Sequence, residues 1–123
     1  MKTVFVVDDS NTSLVTAKET LAPYYDVFTL SSAAILFEFL EHITPDLILL
    51  DVMMPDINGF DAMARLRADA RHADIPVAFL TGTRDAETEA RGLELGAAGF
   101  ISKPFLRPIL LGWVQTHLAV RED

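Results

Sequence analysis

The sequence contains no cysteine, which excludes disulfide frameworks, thiolate metal sites and cysteine nucleophiles. Basic residues are also few. Ten Lys and Arg stand against 18 Asp and Glu, so the net charge is −8 with histidine neutral. Binding to nucleic acid or to an anionic membrane surface needs clustered Lys and Arg. We therefore expect no direct nucleic-acid partner and no membrane partner.

Long apolar runs are missing as well. No stretch approaches the ~20 apolar residues that span a bilayer. The amino terminus does not match a secretory signal, because its apolar run at 4–7 stops at two aspartates. A length of 123 residues fits one domain over 1–123, and a cytoplasmic location is expected.

Five short apolar runs alternate with segments of helical periodicity. The runs cover 4–7, 27–30, 47–50, 77–80 and 100–101, and most are continuous, as is typical of parallel strands buried on both faces. Two helices are predicted to begin after Ser10 and after Ser31 or Ser32, and the apolar period of the second extends to Ile43. Three more are predicted over 59–68, 85–95 and about 106–119. This (βα)5 pattern predicts a doubly wound α/β fold with a five-stranded parallel sheet.

Polar groups follow four of the five predicted strands. In order along the chain they are Asp8 with Asp9, Asp51, Thr81 and Lys103. The second run is followed only by serines. Open parallel sheets place their sites at the carboxyl ends of the strands, near the point where strand order reverses. This asymmetry predicts strand order 2-1-3-4-5, with the second strand at an edge.

Three carboxylates would then converge, from Asp8, Asp9 and Asp51. Such a cluster stays ionised only with cations nearby, and one divalent ion with Lys103 would roughly balance its charge. Oxygen ligands suit Mg²⁺, or Mn²⁺ in its place. The histidines fall in or near different predicted helices and are expected at the surface or at helix ends: His42, His72 and His117.

The motifs resemble those of the receiver domain of two-component response regulators, over essentially the whole chain from Val4 to Leu118. They are VDDS at 7–10, DVMMP at 51–55 leading to Gly59, LTG at 80–82, GA at 96–97 and KPF at 103–105. The resemblance implies a flavodoxin-like fold and a signalling switch rather than a turnover enzyme.

The resemblance also implies roles at the acidic cluster. Asp51 would accept a phosphoryl group from the phosphohistidine of a histidine kinase or phosphotransfer protein, in a reaction that needs Mg²⁺. Asp9 would bind the metal directly, and Asp8 largely through water. Asp51 and the backbone carbonyl of Met53 would complete the protein ligands.

Further roles implied by the resemblance concern the switch. Thr81 would donate a hydrogen bond to the phosphoryl group, and Lys103 would pair with its oxygen, aimed by a cis peptide bond to Pro104. Phe100 occupies the position of the switch aromatic, without the hydroxyl of the commoner tyrosine. Movement of Thr81 would vacate space into which Phe100 swings, changing the face formed by the fourth helix, fifth strand and fifth helix.

The last predicted helix carries two apolar stripes. One is expected to pack on the sheet and consists of Leu110, Leu111, Val114 and Leu118. The other lies to one side, with Leu106, Ile109 and Trp113 at i, i+3, i+7 spacing. A neighbouring helix could cover the second stripe. Otherwise it contributes to a surface for a homodimer or an output partner.

Alternatives concern both chemistry and extent. A haloacid-dehalogenase-type phosphatase also uses an Asp nucleophile, Thr, Lys and Mg²⁺, but it carries a second Asp where this chain has Met53, and its acidic pair comes late in the chain. A flavodoxin-type cofactor module needs a phosphate-cradling loop where Asp8 and Asp9 stand. Finally, the chain could be the N-terminal receiver domain of a longer regulator with its own output domain.

Overall fold

A computed structural model describes residues 1–83 and 85–119; residues 84 and 120–123 of the predicted domain lie outside the described residues. Strands and helices alternate along it: β1 (Thr3–Val7), α1 (Asn11–Leu21), β2 (Asp26–Leu30), α2 (Ala33–Leu40), β3 (Leu47–Asp51), α3 (Gly59–Ala68), β4 (Val77–Thr81), α4 (Ala86–Glu94), β5 (Gly99–Ser102) and α5 (Arg107–Ala119). Each strand and helix expected from the sequence is present.

The five strands form one parallel sheet in the order β2-β1-β3-β4-β5, which confirms the predicted order. In its register Asp51 lies beside Leu80, and Thr81 lies beside Ser102. All strands run in the same direction, so their carboxyl ends share one edge of the sheet. The polar residues that follow β1, β3, β4 and β5 therefore meet there.

Both faces of the sheet are covered, which explains the continuous apolar runs. Alternate residues of a strand point to opposite faces, so neighbours such as Phe5 and Val6 belong to different cores. One core contains residues of α2 and α3, and the other contains residues of α1 and α5. Nowhere in the part of the chain that the structure describes is there a helix with the length and apolar character that a bilayer span requires.

Side-chain caps fix where four of the helices begin. Ser10, Ser32, Asn58 and Asp85 each accept a hydrogen bond from the backbone N–H three residues further on. Ser32, rather than Ser31, is the cap of α2. The helix α4 gives way to Gly96, whose φ of 88° lies in the left-handed region that favours glycine.

The prediction that the second helix includes Ile43 is wrong, because α2 ends at Leu40. The Ile43 N–H still donates to the Phe39 carbonyl, and the Ile43 side chain still packs against the core. The apolar pattern of α2 therefore continues to Ile43, although the helix itself ends earlier. The N–H groups of Glu41 and His42 donate to carbonyls three residues back, so the helix tightens and ends there.

The histidines only partly follow expectation. His42 is exposed, and His117 lies in the last turn of α5, where its ring stacks on Trp113. His72 is instead buried, at 5% exposure, in the turn between α3 and β4. Its N–H donates to the Asp69 carbonyl and its carbonyl accepts from Ile75, so this turn is compact and covers the ring. The surface or helix-end expectation for His72 is wrong.

Candidate functional site

An acidic cluster lies at the carboxyl edge of the sheet. Asp8 and Asp9 follow β1, Asp51 ends β3, and one carboxylate oxygen from each lies within 4.8 Å of the others. Asp8 and Asp51 are buried, whereas Asp9 is exposed. The predicted convergence of the three carboxylates is confirmed.

Lys103 directly follows β5, the edge strand of the sheet, and its side chain reaches this cluster. Its Nζ donates to Asp8 Oδ2 at 2.9 Å and to Asp51 Oδ2 at 3.1 Å. Burial disfavours the ammonium, but the hydrogen bonds and charges of the two aspartates outweigh it and raise the pKa of Lys103. The peptide bond from Lys103 to Pro104 is cis, as the resemblance implied. The lysine therefore joins the ends of β1, β3 and β5.

The Asp51 carboxyl has an unusual acidity. Burial, followed by the charge of Asp8, raises the pKa of Asp51 from 3.8 to about 6. The Lys103 ammonium and the N–H of Met53, which donates to Asp51 Oδ1 at 3.2 Å, partly offset that rise. The carboxylate is thus the prevailing form at pH 7, but it is poorly solvated.

The two members of the acidic pair differ in their surroundings. Asp8 Oδ1 accepts from the N–H of Ser10 at 2.9 Å, and Oδ2 accepts from Lys103. Both oxygens of Asp8 are therefore held by the chain itself. Asp9 is exposed at the opening of the cluster. Asp9 is therefore the member of the cluster that is most accessible from solvent.

Thr81 lies at the end of β4, next in the sheet to the strand that carries Asp51. Its hydroxyl donates to the Thr83 carbonyl at 2.7 Å and accepts from the Thr83 N–H at 3.0 Å. The Thr81 hydroxyl is thus bonded to the loop after β4 in this structure. A Cβ on Gly82 would meet nothing within 4 Å, so the loop leaves open space.

Two contacts anchor the loop after Asp51. A Cβ on Gly59 would collide with the carbonyl oxygen of Asp51, so only glycine lets α3 start against the end of β3. The Asp56 carboxylate accepts from the N–H groups of Ala33 and Ala34 at the start of α2, at 3.4 and 2.9 Å. Sequence reasoning missed this role of Asp56, because the contact spans more than 20 residues and has no local signature.

Phe100 is half-buried, with its ring turned inward against β4 and α4. Its ring stacks on Phe79, with centroids 5.9 Å apart and planes 28° apart, and it packs against the core that contains residues of α2 and α3. The sequence led us to expect the ring to enter only after Thr81 moves. Here the ring is inside while Thr81 bonds Thr83. The Phe100 ring fits against α4 because Gly92 has no side chain there.

The two stripes of α5 differ in exposure. Leu110, Val114 and Leu118 are buried and Leu111 partly so, as predicted. The second stripe is open: Leu106 is 65% and Ile109 61% exposed, while Trp113 is half-buried over Gly99. These three side chains line a groove of about 180 Å³ with Phe100 and Pro104.

Comparisons with known proteins agree with this geometry. A family model described as the response regulator receiver domain matches residues 4–115. A probable cyclic di-GMP phosphodiesterase of Vibrio cholerae is 36% identical over 116 residues, which are 94% of this chain and 26% of that protein. The response regulator PleD of Caulobacter vibrioides is 39% identical over 115 residues, which are 92% of this chain and 25% of that protein.

A solved structure matches nearly the whole chain. The chemotaxis response regulator CheY4 of Vibrio cholerae superimposes with a TM-score of 0.88 at 29% identity, covering 94% of this chain and 98% of that chain. The present chain thus spans about a quarter of the length of the two curated relatives.

Proposed function

The chain belongs to the response regulator receiver domain family and has its flavodoxin-like fold, and we propose that Asp51 is its phosphoacceptor. This proposal rests on the environment of the Asp51 carboxylate. Its carboxylate ends β3 among two further carboxylates and is bonded by Lys103. Burial keeps that carboxylate poorly solvated, which suits a nucleophile.

In the proposed reaction a carboxylate oxygen of Asp51 attacks phosphorus. The new P–O bond forms as the P–N bond of the donor's phosphohistidine breaks. The electron pair of that bond goes to the imidazole nitrogen, and the result is an aspartyl phosphate. Phosphoryl transfer needs positioning and charge neutralisation more than covalent help. Lys103 is close enough to Asp51 to neutralise a phosphoryl oxygen, and Thr81 would supply a hydrogen bond once it leaves Thr83.

The acidic cluster fits a divalent cation. Three carboxylate oxygens within 4.8 Å match the oxygen ligands that Mg²⁺ or Mn²⁺ prefers. By the resemblance to receiver domains, Asp9 and Asp51 would bind it directly and Asp8 would act largely through water. The Met53 carbonyl as a further ligand stays a prediction. When bound, the cation would offset the negative charge of acceptor and phosphoryl group.

Asp9→Ala is expected to lose most of the response to Mg²⁺. A cation that binds only the folded cluster raises the melting temperature by mass action, and the exposed Asp9 is the accessible ligand. Thermal unfolding with and without Mg²⁺ measures this, with Asp61→Ala on the exposed side of α3 as the control. Unchanged Mg²⁺ affinity in Asp9→Ala would assign the metal to other ligands.

A histidine kinase or phosphotransfer protein would be the phosphoryl donor. The chain would work as a signalling switch that promotes only its own phosphorylation and dephosphorylation. The family match supports neither the phosphatase nor the flavodoxin-type alternative. The alternative that residues 1–123 are one domain of a longer regulator leaves the chemistry at Asp51 unchanged. A cytoplasmic location stays a prediction.

The output surface would be the face formed by α4, β5 and α5. Exposed Leu106 and Ile109 flank Trp113 there, and Phe100 lines the same groove. Aromatic side chains such as tryptophan are enriched among binding hot spots. A change at Phe100 would therefore reach a homodimer contact or an output partner.

Trp113→Ala is expected to weaken self-association on this face. Sedimentation of wild type and variant, with and without beryllofluoride as a phosphoryl mimic, measures the effect. Val15→Ala, an exposed apolar truncation on α1, is the matched control. If wild type stays monomeric at high concentration in both states, self-association is wrong and the surface serves a foreign partner.

The proposed function is tested with wild-type protein and acetyl phosphate. With Mg²⁺, intact mass should rise by one phosphoryl group, about 80 Da, as the P–O bond to acetate breaks and acetate leaves. Chelation of the metal should prevent the increase. No adduct at any Mg²⁺ concentration would overturn the assignment.

A further inference from the structure

One glycine of α4 makes room for the switch aromatic. A Cβ on Gly92 would lie 2.5 Å from Cζ and 2.9 Å from Cε2 of the Phe100 ring, and 3.1 Å from Cδ2 of Phe79. Gly92 is the one α4 residue that is buried, and it lies inside the helix, where glycine costs stability relative to alanine. All three atoms that a Cβ would meet belong to side chains.

The Phe100 ring ends a row of aromatic side chains. Phe79 stacks on Phe100, and Phe60 meets Phe79 edge-on, with centroids 5.1 Å apart. Phe60 directly follows Gly59, which abuts the carbonyl of Asp51. The row thus runs from β5 across β4 to α3, and α3 begins at Gly59 beside the residue that the proposed function assigns as phosphoacceptor.

We propose that Gly92 is a positioning residue for the switch: it seats the Phe100 ring inward before any phosphoryl group arrives. The ring is inside while Thr81 still bonds Thr83, so its room comes from the absent side chain on α4. The link to phosphorylation rests on the proposed function; the seating of the ring does not.

The position of the Phe100 ring and the affinity for a phosphoryl mimic are thermodynamically linked. If the phosphorylated state holds the ring inward, a residue that favours the inward ring also favours binding of a phosphoryl mimic. A Cβ at position 92 pushes the ring out and should lower that affinity. The effect requires the ring, so it should vanish when residue 100 is truncated. A glycine needed only for close backbone packing would show no such dependence.

The experiment is a double-mutant cycle of Gly92→Ala with Phe100→Ala. Gly112→Ala is the matched control, because Gly112 lies inside α5 and its Cβ would meet nothing within 4 Å. Ring contacts are measured on the proteins that keep Phe100, and affinity is measured on all of them. Nuclear Overhauser contacts report whether the ring of Phe100 lies against residue 92 and Phe79, and titration with beryllofluoride and Mg²⁺ gives the affinity for the mimic.

Gly92→Ala is expected to lose the ring contact with Phe79 and to bind beryllofluoride about 5- to 30-fold more weakly. In the Phe100→Ala background, the same change should alter affinity by less than roughly twofold. Gly112→Ala should behave as wild type. A ring that stays inward in Gly92→Ala, or an equal loss of affinity with and without the ring, would overturn the proposal.

The experiment still tests the proposal if a variant does not fold or if the phosphoryl mimic does not bind. If Gly92→Ala does not fold, its combination with Phe100→Ala should fold, since the colliding ring is gone; failure of both overturns the ring-based explanation. If wild type does not bind beryllofluoride, the proposed function fails. The ring contacts in the unliganded proteins then decide the seating by themselves.

Discussion

Asp51→Asn is expected to abolish the phosphoryl adduct formed with acetyl phosphate and Mg²⁺. An amide oxygen is neutral and far less nucleophilic than the carboxylate oxygen that would attack phosphorus. The variant should fold, because an asparagine oxygen can still accept from the N–H of Met53, and Lys103 keeps its bond to Asp8. Intact mass measured over time compares it with wild type.

The control for this substitution is Asp61→Asn, an equal change of charge at an exposed position of α3. It should be labelled at the wild-type rate. Labelling of Asp51→Asn at that same rate would move the acceptor to another carboxylate. Asp9 would then be the first to test, because it is the exposed member of the cluster.

The order of the strands and the position of the site could be predicted from the sequence. Continuous apolar runs mark buried parallel strands, and parallel strands end at one edge. Asp8, Asp51 and Lys103 are far apart in the chain, yet that rule alone places them together, and they are in direct contact. The prediction holds because it depends on topology and not on side-chain packing.

Features that depend on packing between distant elements could not be predicted. The position of Phe100 depends on Gly92 of a different element, and no local pattern marks a helical glycine as the seat of a ring. The burial of His72 depends on how its turn folds back. Ile43 continues the apolar period of α2 beyond its last residue. The period therefore predicts correctly that the side chain packs against the core, but not that the backbone there is no longer helical.

Lys103→Met is expected to lower both stability and phosphorylation. The lysine is the cation that contacts Asp8, which is fully buried, and Asp51, which is nearly so. Breaking a buried ion pair from one side typically costs about 3–5 kcal/mol, because the remaining charge stays buried and unpaired. The adduct with acetyl phosphate should also fall strongly, since no ammonium remains beside Asp51 to neutralise a phosphoryl oxygen.

The loss of stability should depend on pH in a defined direction. Burial and Asp8 already raise the pKa of Asp51 to about 6, and Lys103 opposes that rise, so the variant raises the pKa of this carboxyl further. A carboxyl whose pKa is higher in the folded than in the unfolded state favours folding below its unfolded pKa. That contribution is lost as pH rises through the folded pKa. The deficit of Lys103→Met should therefore be small near pH 4 and large at pH 8.

Urea unfolding of wild type and Lys103→Met at pH 4, 6 and 8 measures this deficit. Lys18→Met is the matched control, because it removes the same charge from an exposed position on α1. The Lys18 ammonium donates to the Val27 carbonyl and not to a carboxylate of the acidic cluster. Its free energy of unfolding should follow wild type across the range. Addition of Mg²⁺ at pH 8 should restore part of the stability of Lys103→Met, since a divalent cation bound to the folded state compensates the same carboxylates. A deficit that is equal at pH 4 and pH 8 would mean that Lys103 stabilises the fold by packing its aliphatic stem, and not by neutralising Asp8 and Asp51.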